Sequence, residues 1–321
     1  GYGSSGSTFI VGIKENNFKG DGIKLDANLA LTEESIRGKI AYTTPNFAYS
    51  DNSLTASIES TSTDKEKDYG YKSSLNKILL GTSYEQYQNL YFSPSFSVSL
   101  EELTTTANAS SNYKKQEGSY FDTLLNYSIS YNTLDSSFRP SNGIVSIFSQ
   151  ELPVLSDGYN IVNGYQVTGY KEVANDSILS VGVYTRAVNT LTSGEDVRVS
   201  KRMFLPSSRL RGFEPGKIGP KDGADFVGGN YMASFNTALS LPFLFPTFDN
   251  LDFSIFFDAA NVWHVDYSKN VDQGNSIRSS TGIGLNLITP VGPLSFSVAQ
   301  PITKQDGDVT ETVRFNLGTT F

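Results

Sequence analysis

Cysteine is absent from the 321 residues, which excludes disulfides and thiolate metal sites. A single histidine, His264, cannot build a zinc site alone; beside Trp263 it reads as a strand-end residue. With that one imidazole and no nucleophile motif near it, no Ser, His and Asp set can be assembled, so no enzyme and no cofactor are expected. Long apolar runs are missing too. Nothing approaches the about 18 residues of a transmembrane helix, although a membrane barrel remains open because alternating lipid-facing and lumenal residues cancel in a hydropathy window. Charge is sparse: Asp, Glu, Lys and Arg make up 18% of the chain, below the roughly 25% of soluble domains. The net charge is -8, and the basic residues are scattered, so no nucleic-acid partner is expected. No signal peptide is visible and Gly1-Tyr2-Gly3 already has strand-like composition, so an upstream portion of the protein is expected.

What the chain has in abundance is Tyr (18), Phe (21) and Gly (28), together with Ser, Thr and Asn, a mixture that favours strands and polar turns. Apolar residues recur with period two. Phe9, Val11 and Ile13 form one such face, and Ile23, Leu25, Ala27, Leu29 and Leu31 another beyond a Lys19-Gly20-Asp21-Gly22 turn. Phe253, Ile255 and Phe257 interleave with Ser254, Phe256 and Asp258, and Val313, Phe315, Leu317 and Phe321 with Arg314, Asn316 and Gly318. A soluble sandwich would put more Lys and Glu on its polar face than these Gly, Ser, Asn and Thr positions do, so the reading is an all-β, transmembrane antiparallel barrel. Strands are expected near 7–16, 22–32, 36–44, 53–63, 70–86, 90–103, 119–133, 143–152, 159–172, 177–189, 229–241, 251–264, 277–289, 293–303 and 311–321. Segment 196–204 is either a further strand or loop. The loop version, with Gly1–Gly3 as the remnant of a first strand, is preferred, and both count about sixteen, the even number expected of a single-chain bacterial barrel.

Asn189 to Gly228 is the longest connection, and its prolines, Pro206, Pro215 and Pro220, make it shaped and not helical. Within it stand Ser208-Arg209-Leu210-Arg211-Gly212-Phe213, then Ile218-Gly219-Pro220-Lys221-Asp222, then Gly228-Gly229-Asn230. Further on come Phe257-Asp258-Ala259-Ala260-Asn261-Val262-Trp263, Thr289-Pro290-Val291-Gly292-Pro293, Gln300-Pro301 and the terminal Phe321. In order and spacing this set resembles the BamA family of outer-membrane barrels, although Thr61 to Gly118 matches in pattern only. The resemblance implies one barrel domain over 1–321, a loop at 190–228 folded into the lumen, and periplasmic POTRA domains upstream that this chain lacks.

The site residues follow from the same likeness. Leu210, Arg211, Gly212 and Phe213 are the lumenal loop motif. A guanidinium in a lumen calls for a carboxylate, and Asp258 lies on the face opposite Phe257, where the family's motif arginine finds an acid. The family's second acid is replaced here by Ala238, which puts a two-acid clamp in doubt. Gly212 is expected to permit a turn and Phe213 to anchor the loop. The Asp306-Gly307-Asp308 segment reads as a hairpin turn rather than a calcium site, and Glu33-Glu34 and Asp64 to Asp68 read as solvated turn charges. The lateral seam is expected between Gly1, Tyr2 and Gly3 and the strand of Phe315, Asn316, Leu317, Gly318 and Phe321, where glycine weakens pairing.

The function implied is folding and insertion of outer-membrane β-barrel proteins through that seam. The partners implied are the outer-membrane bilayer of a Gram-negative bacterium, unfolded barrel substrates, and accessory lipoproteins reached through the POTRA domains. Rival readings are a polypeptide translocator of the same superfamily, a diffusion porin, and an outer-membrane enzyme.

Overall fold

The computed structural model describes residues 2–4, 6–137, 139–174, 176–244, 250–267, 270–271, 276–289 and 292–317. Gly1, Pro290, Val291, Gly318 and Phe321 lie outside the described residues. The strands run β1 Tyr2–Gly3, β2 Gly6–Phe18, β3 Ile23–Thr32, β4 Ser35–Thr44, β5 Ser53–Lys65, β6 Tyr71–Tyr87, β7 Leu90–Thr105, β8 Gly118–Asn132 and β9 Gly143–Ser156. They continue as β10 Asn160–Ala174, β11 Ser177–Thr190, β12 Lys221–Asp222, β13 Asp225–Phe226, β14 Tyr231–Ser240, β15 Leu251–Trp263, β16 Arg278–Thr289, β17 Gly292–Thr303 and β18 Val313–Leu317. All but β12 and β13 close into one antiparallel barrel, each strand beside its neighbour in sequence, with β11 meeting β14 and β18 returning to β1. That is a sixteen-stranded barrel. Segment 196–204 belongs to the long loop, with a single 3-10 turn at Val199–Lys201.

Period two explains the wall. Along β7, Ser97, Ser99, Glu101 and Leu103 are buried inward, while Phe96 and Leu100 stand exposed outside. Ile40, Ile58, Ile78, Phe235, Ile255, Phe257, Ile283 and Phe315 extend the exposed apolar exterior around the barrel; Phe253 and Leu317, on the same strand faces, are half-buried. An apolar exterior of this kind would be costly in water and suits hydrocarbon, where closure leaves no unpaired sheet edge.

Tight connections such as Phe18 to Ile23, Tyr87 to Leu90 and Ala174 to Ser177 lie on one rim. The other rim carries the long connections 106–117, 191–230, 264–277 and 304–312. These loops, together with the strand ends beneath them, hold the buried apolar core. One cluster joins Val188, Val197, Met203, Leu210, Phe213 and Val262, and a second joins Tyr69, Leu103, Tyr113, Val199, Phe226 and Val265. Burial pushes the phenols of Tyr69, Tyr113 and Tyr267 up, so they remain protonated. They donate to Pro215 O (3.0 Å), Tyr69 O (2.5 Å) and Asp222 Oδ2 (3.1 Å).

An inward and an outward substitution on one strand separate lipid from lumen. Ile58→Arg should destabilise the refolded barrel by about 2–4 kcal/mol, the midplane cost of an arginine facing lipid, whereas Ser57→Arg, one residue away on the inner face, should change stability far less. Urea unfolding in lipid vesicles measures both, and equal effects would refute this assignment of faces.

Candidate functional site

The long loop crosses the lumen and docks on β15. Asp258 is fully buried on the inner face of that strand, and its oxygens accept from four donors. Arg211 gives Nε at 2.7 Å, Nη2 at 2.8 Å and its backbone N at 3.1 Å, and Asn236 Nδ2 of β14 adds a fourth at 2.8 Å. Two charge-assisted bonds in a parallel fork are the strongest geometry open to an arginine. The guanidinium also lies over the Phe256 ring, 3.4 Å from its centroid, and Ser280 Oγ donates to Arg211 O at 2.5 Å. Gly212 turns with φ +89, and a Cβ there would sit 3.2 Å from Ala299 and 3.3 Å from Ser280. Leu210 and Phe213 are buried in the loop core.

The remaining loop segments step along the same strand. Gly219 has φ +91 and packs where a Cβ would meet Val262 O at 2.9 Å, and Gly229 lies against the Trp263 backbone. Asn230 N donates to His264 O (2.8 Å) and its Nδ2 to Asp266 Oδ2 (2.9 Å). His264 ends this series stacked on Tyr231, 5.0 Å between ring centres.

Ala238 presents no second carboxylate. It lines a lumenal cavity of about 480 Å3 that Arg209, Arg211 and Arg314 also border. The second hydrogen-bonding partner of Asp258 is Asn236, two residues before Ala238 and on the same face of β14.

Two further buried ionic clusters carry no local sequence signal. At the loop's start, Arg198 reaches Glu101 on β7 (3.2 Å) and Asp122 on β8, with Tyr120 beneath its guanidinium. At the last connection Arg278 and Asp308 form a bidentate pair, both bonds 2.9 Å, with side chains 0% and 1% exposed. Gly307 turns with φ +89 and Asp308 N donates to Gln305 O at 3.2 Å, closing the turn expected there, while the Asp308 carboxylate is a buried ion. The turn charges at 64–68 are also only partly free, since Asp68 pairs with Lys217 of the loop at 3.1 Å. Burial holds Asp196 above the ordinary carboxylate range against the opposing pull of Arg202, with Asp266 adding to the rise.

The seam is short. Tyr2 pairs with Leu317 and Gly3 with Asn316, and Ser4 adds bonds to Phe315 through its N (2.9 Å) and Oγ (3.0 Å). A Cβ on Gly3 would fall 2.2 Å from Asn316 Oδ1. On its other side β18 pairs with β17 at five positions, whereas β5 and β6 pair at thirteen. Among the described residues, β2 meets β1 at Gly6 and Ser7, and Phe9, Val11 and Ile13 stand exposed on its outer face.

Residues 17–321 match the Omp85 superfamily domain. The chain is 26% identical over 245 residues to the outer membrane protein assembly factor BamA of Neorickettsia risticii, covering 74% of this chain and 33% of that protein. To the sorting assembly machinery 50 kDa subunit of Saccharomyces cerevisiae it is 27% identical over 221 residues, covering 64% of this chain and 44% of the relative. The chain thus spans a third to under half the length of these curated relatives. Among solved structures, BamA from Haemophilus ducreyi lacking POTRA domains 1–3 superposes with a TM-score of 0.89 at 25% identity, over 98% of this chain and 68% of that one. CdiB from Acinetobacter baumannii superposes at 0.60 with 14% identity, over 98% of this chain and 57% of that one, a likeness of fold alone.

The clamp should behave as a unit. In a double-mutant cycle with Arg211→Ala and Asp258→Ala, the pair should show a coupling energy of about 0.5–3 kcal/mol in barrel unfolding, with Asp258→Ala making loop 190–228 open to protease. Additive effects and a loop that stays protected would mean that the two residues do not hold it. Gly212→Ala, strained at positive φ, should cost on the order of 1–3 kcal/mol.

Proposed function

Because the chain belongs to the Omp85 superfamily, we propose that it is the barrel domain of an outer-membrane assembly factor, which folds and inserts β-barrel proteins through a lateral seam between β1 and β18. The observation that carries this reading is that β18 returns to β1 to close the barrel, Tyr2 pairing with Leu317 and Gly3 with Asn316, so that the first and last strands share one junction. A substrate strand entering hydrocarbon faces several kcal/mol for each unpaired backbone N–H or C=O. An edge that opens would supply those partners by β-augmentation, so a nascent hairpin is paired before it meets lipid. The loop clamp favours this route over the lumen. Arg211, Phe213 and Gly219 fix a folded loop across the rim, and a diffusion pore needs that space open.

The reading extends to what such a protein works with: the outer-membrane bilayer, unfolded barrel substrates, accessory lipoproteins bound through POTRA domains, and a Gram-negative host. A BamA and a yeast sorting-machinery subunit among the relatives support assembly as the shared activity.

The test ties the seam shut. Tyr2→Cys and Leu317→Cys in the full-length protein face each other across the junction, and none of these 321 residues is a competing cysteine; a disulfide asks for Cα atoms about 5.5 Å apart. Oxidation should stop folding of a test barrel in reconstituted membranes and reduction should restore it. Full assembly activity with the disulfide formed would falsify the seam mechanism, and conductance that is high and indifferent to the lock would indicate a porin.

A further inference from the structure

The motif loop is joined to the seam strand as well as to the wall. After Arg211, residues 212–217 run beside 309–311, immediately before β18. Glu311 N donates to Gly212 O (3.0 Å), Glu214 N to Val309 O (3.0 Å) and Val309 N to Lys217 O (3.1 Å), and Phe213 and Thr310 form an antiparallel bridge. This short ladder can position β18 only if the 304–312 connection is itself held, and Arg278 holds it. From the first residue of β16, its Nε and Nη2 grip both oxygens of Asp308, and its Nη1 donates to Asn261 Oδ1 (2.7 Å) and Ser276 O (2.9 Å). Asp308 Oδ2 also accepts from Gln305 N at 2.7 Å.

An ion pair buried this completely is an expensive way to gain stability, because apolar residues of like volume often do as well. What it adds is direction: two parallel bonds fix where the connection lies. Direction matters here because Val313, the first residue of β18, follows the connection directly.

We propose that Arg278 and Asp308 are positioning residues for the seam. The pair fixes the 304–312 connection against the Arg211 loop, so that β18 is presented to β1 in one register, and loosening the pair releases the β1–β18 junction. Its bearing on assembly rests on the function proposed above; its bearing on the position of β18 does not.

The experiment reads the two separately. Spin labels at Val11→Cys on β2 and Phe296→Cys on β17, both on the lipid face, report the distance across the seam in the full-length protein in nanodiscs. Asp308→Asn should raise the population at long distance roughly tenfold (about 1.4 kcal/mol), and so should the apolar replacement Arg278→Met with Asp308→Leu, which leaves no unpaired buried charge if the asparagine variant fails to fold. Gel mobility before and after heating shows that each barrel is folded. A folded apolar double variant whose seam distance matches the parent overturns the positioning role, because lost packing alone would lower stability without moving the seam. A widened seam with assembly at the parental rate supports the positioning role and counts against the seam reading of function.

Discussion

Asp258 is a carboxylate sealed from solvent on the inner wall, and the rest of the loop architecture depends on how it is neutralised. Its two oxygens accept four hydrogen bonds, three from Arg211 and one from Asn236. Removing the arginine would strand a buried charge, a far larger penalty than losing an ordinary contact. Because one of those bonds comes from the Arg211 backbone, the carboxylate fixes the path of the chain as well as the side chain. Gly212 can then turn at positive φ against Ala299 and Ser280, and Phe213 enters the core. Gly219 and Gly229 follow along Val262 and Trp263.

This organisation places the apolar core where a soluble protein would not have it. The wall buries little, because its apolar face looks outward, while the rim loops bury aromatic and aliphatic side chains against one another. Loop packing alone would slide, since apolar contact is not directional. Three ionic pairings supply direction: Arg211 with Asp258, Arg198 with Glu101 and Asp122, and Arg278 with Asp308. The first two fix the loop to β15 on one side and to β7 and β8 on another, and the third holds the connection that leads into β18.

How much of this the sequence disclosed depends on the range of each signal. Alternation is local, so the sixteen barrel strands and the outward face of Ile255, Phe257 and Phe315 were legible from it. The same parity put Asp258 inside. Asn236 as the second partner was not legible, because the family resemblance points to the position of Ala238, two residues further on. Arg198 was invisible for a different reason: Glu101 lies 97 residues away, and nothing local distinguishes a charge bound for burial from a solvated one. Asp308 does close the turn at Gly307, but the burial of its carboxylate was not legible, because its partner Arg278 is thirty residues off.

Under the proposed function, a barrel with a docked plug and a junction between β1 and β18 has two ways to open. Moving the loop out of the lumen means stripping Asp258 of Arg211, drawing Phe213 from its cluster and breaking the bonds of Asn230 to His264 and Asp266. Parting β1 from β18 means breaking, among the described residues, two paired positions and the bonds of Ser4, in a strand pair where Gly3 contributes no side chain. Each backbone group freed in hydrocarbon is costly, so even this junction stays shut unless new partners arrive as the old ones leave. An incoming strand provides such partners, whereas a diffusing solute does not. Under the proposed function, a seam that parts only against a pairing partner would therefore take polypeptide edges over small molecules.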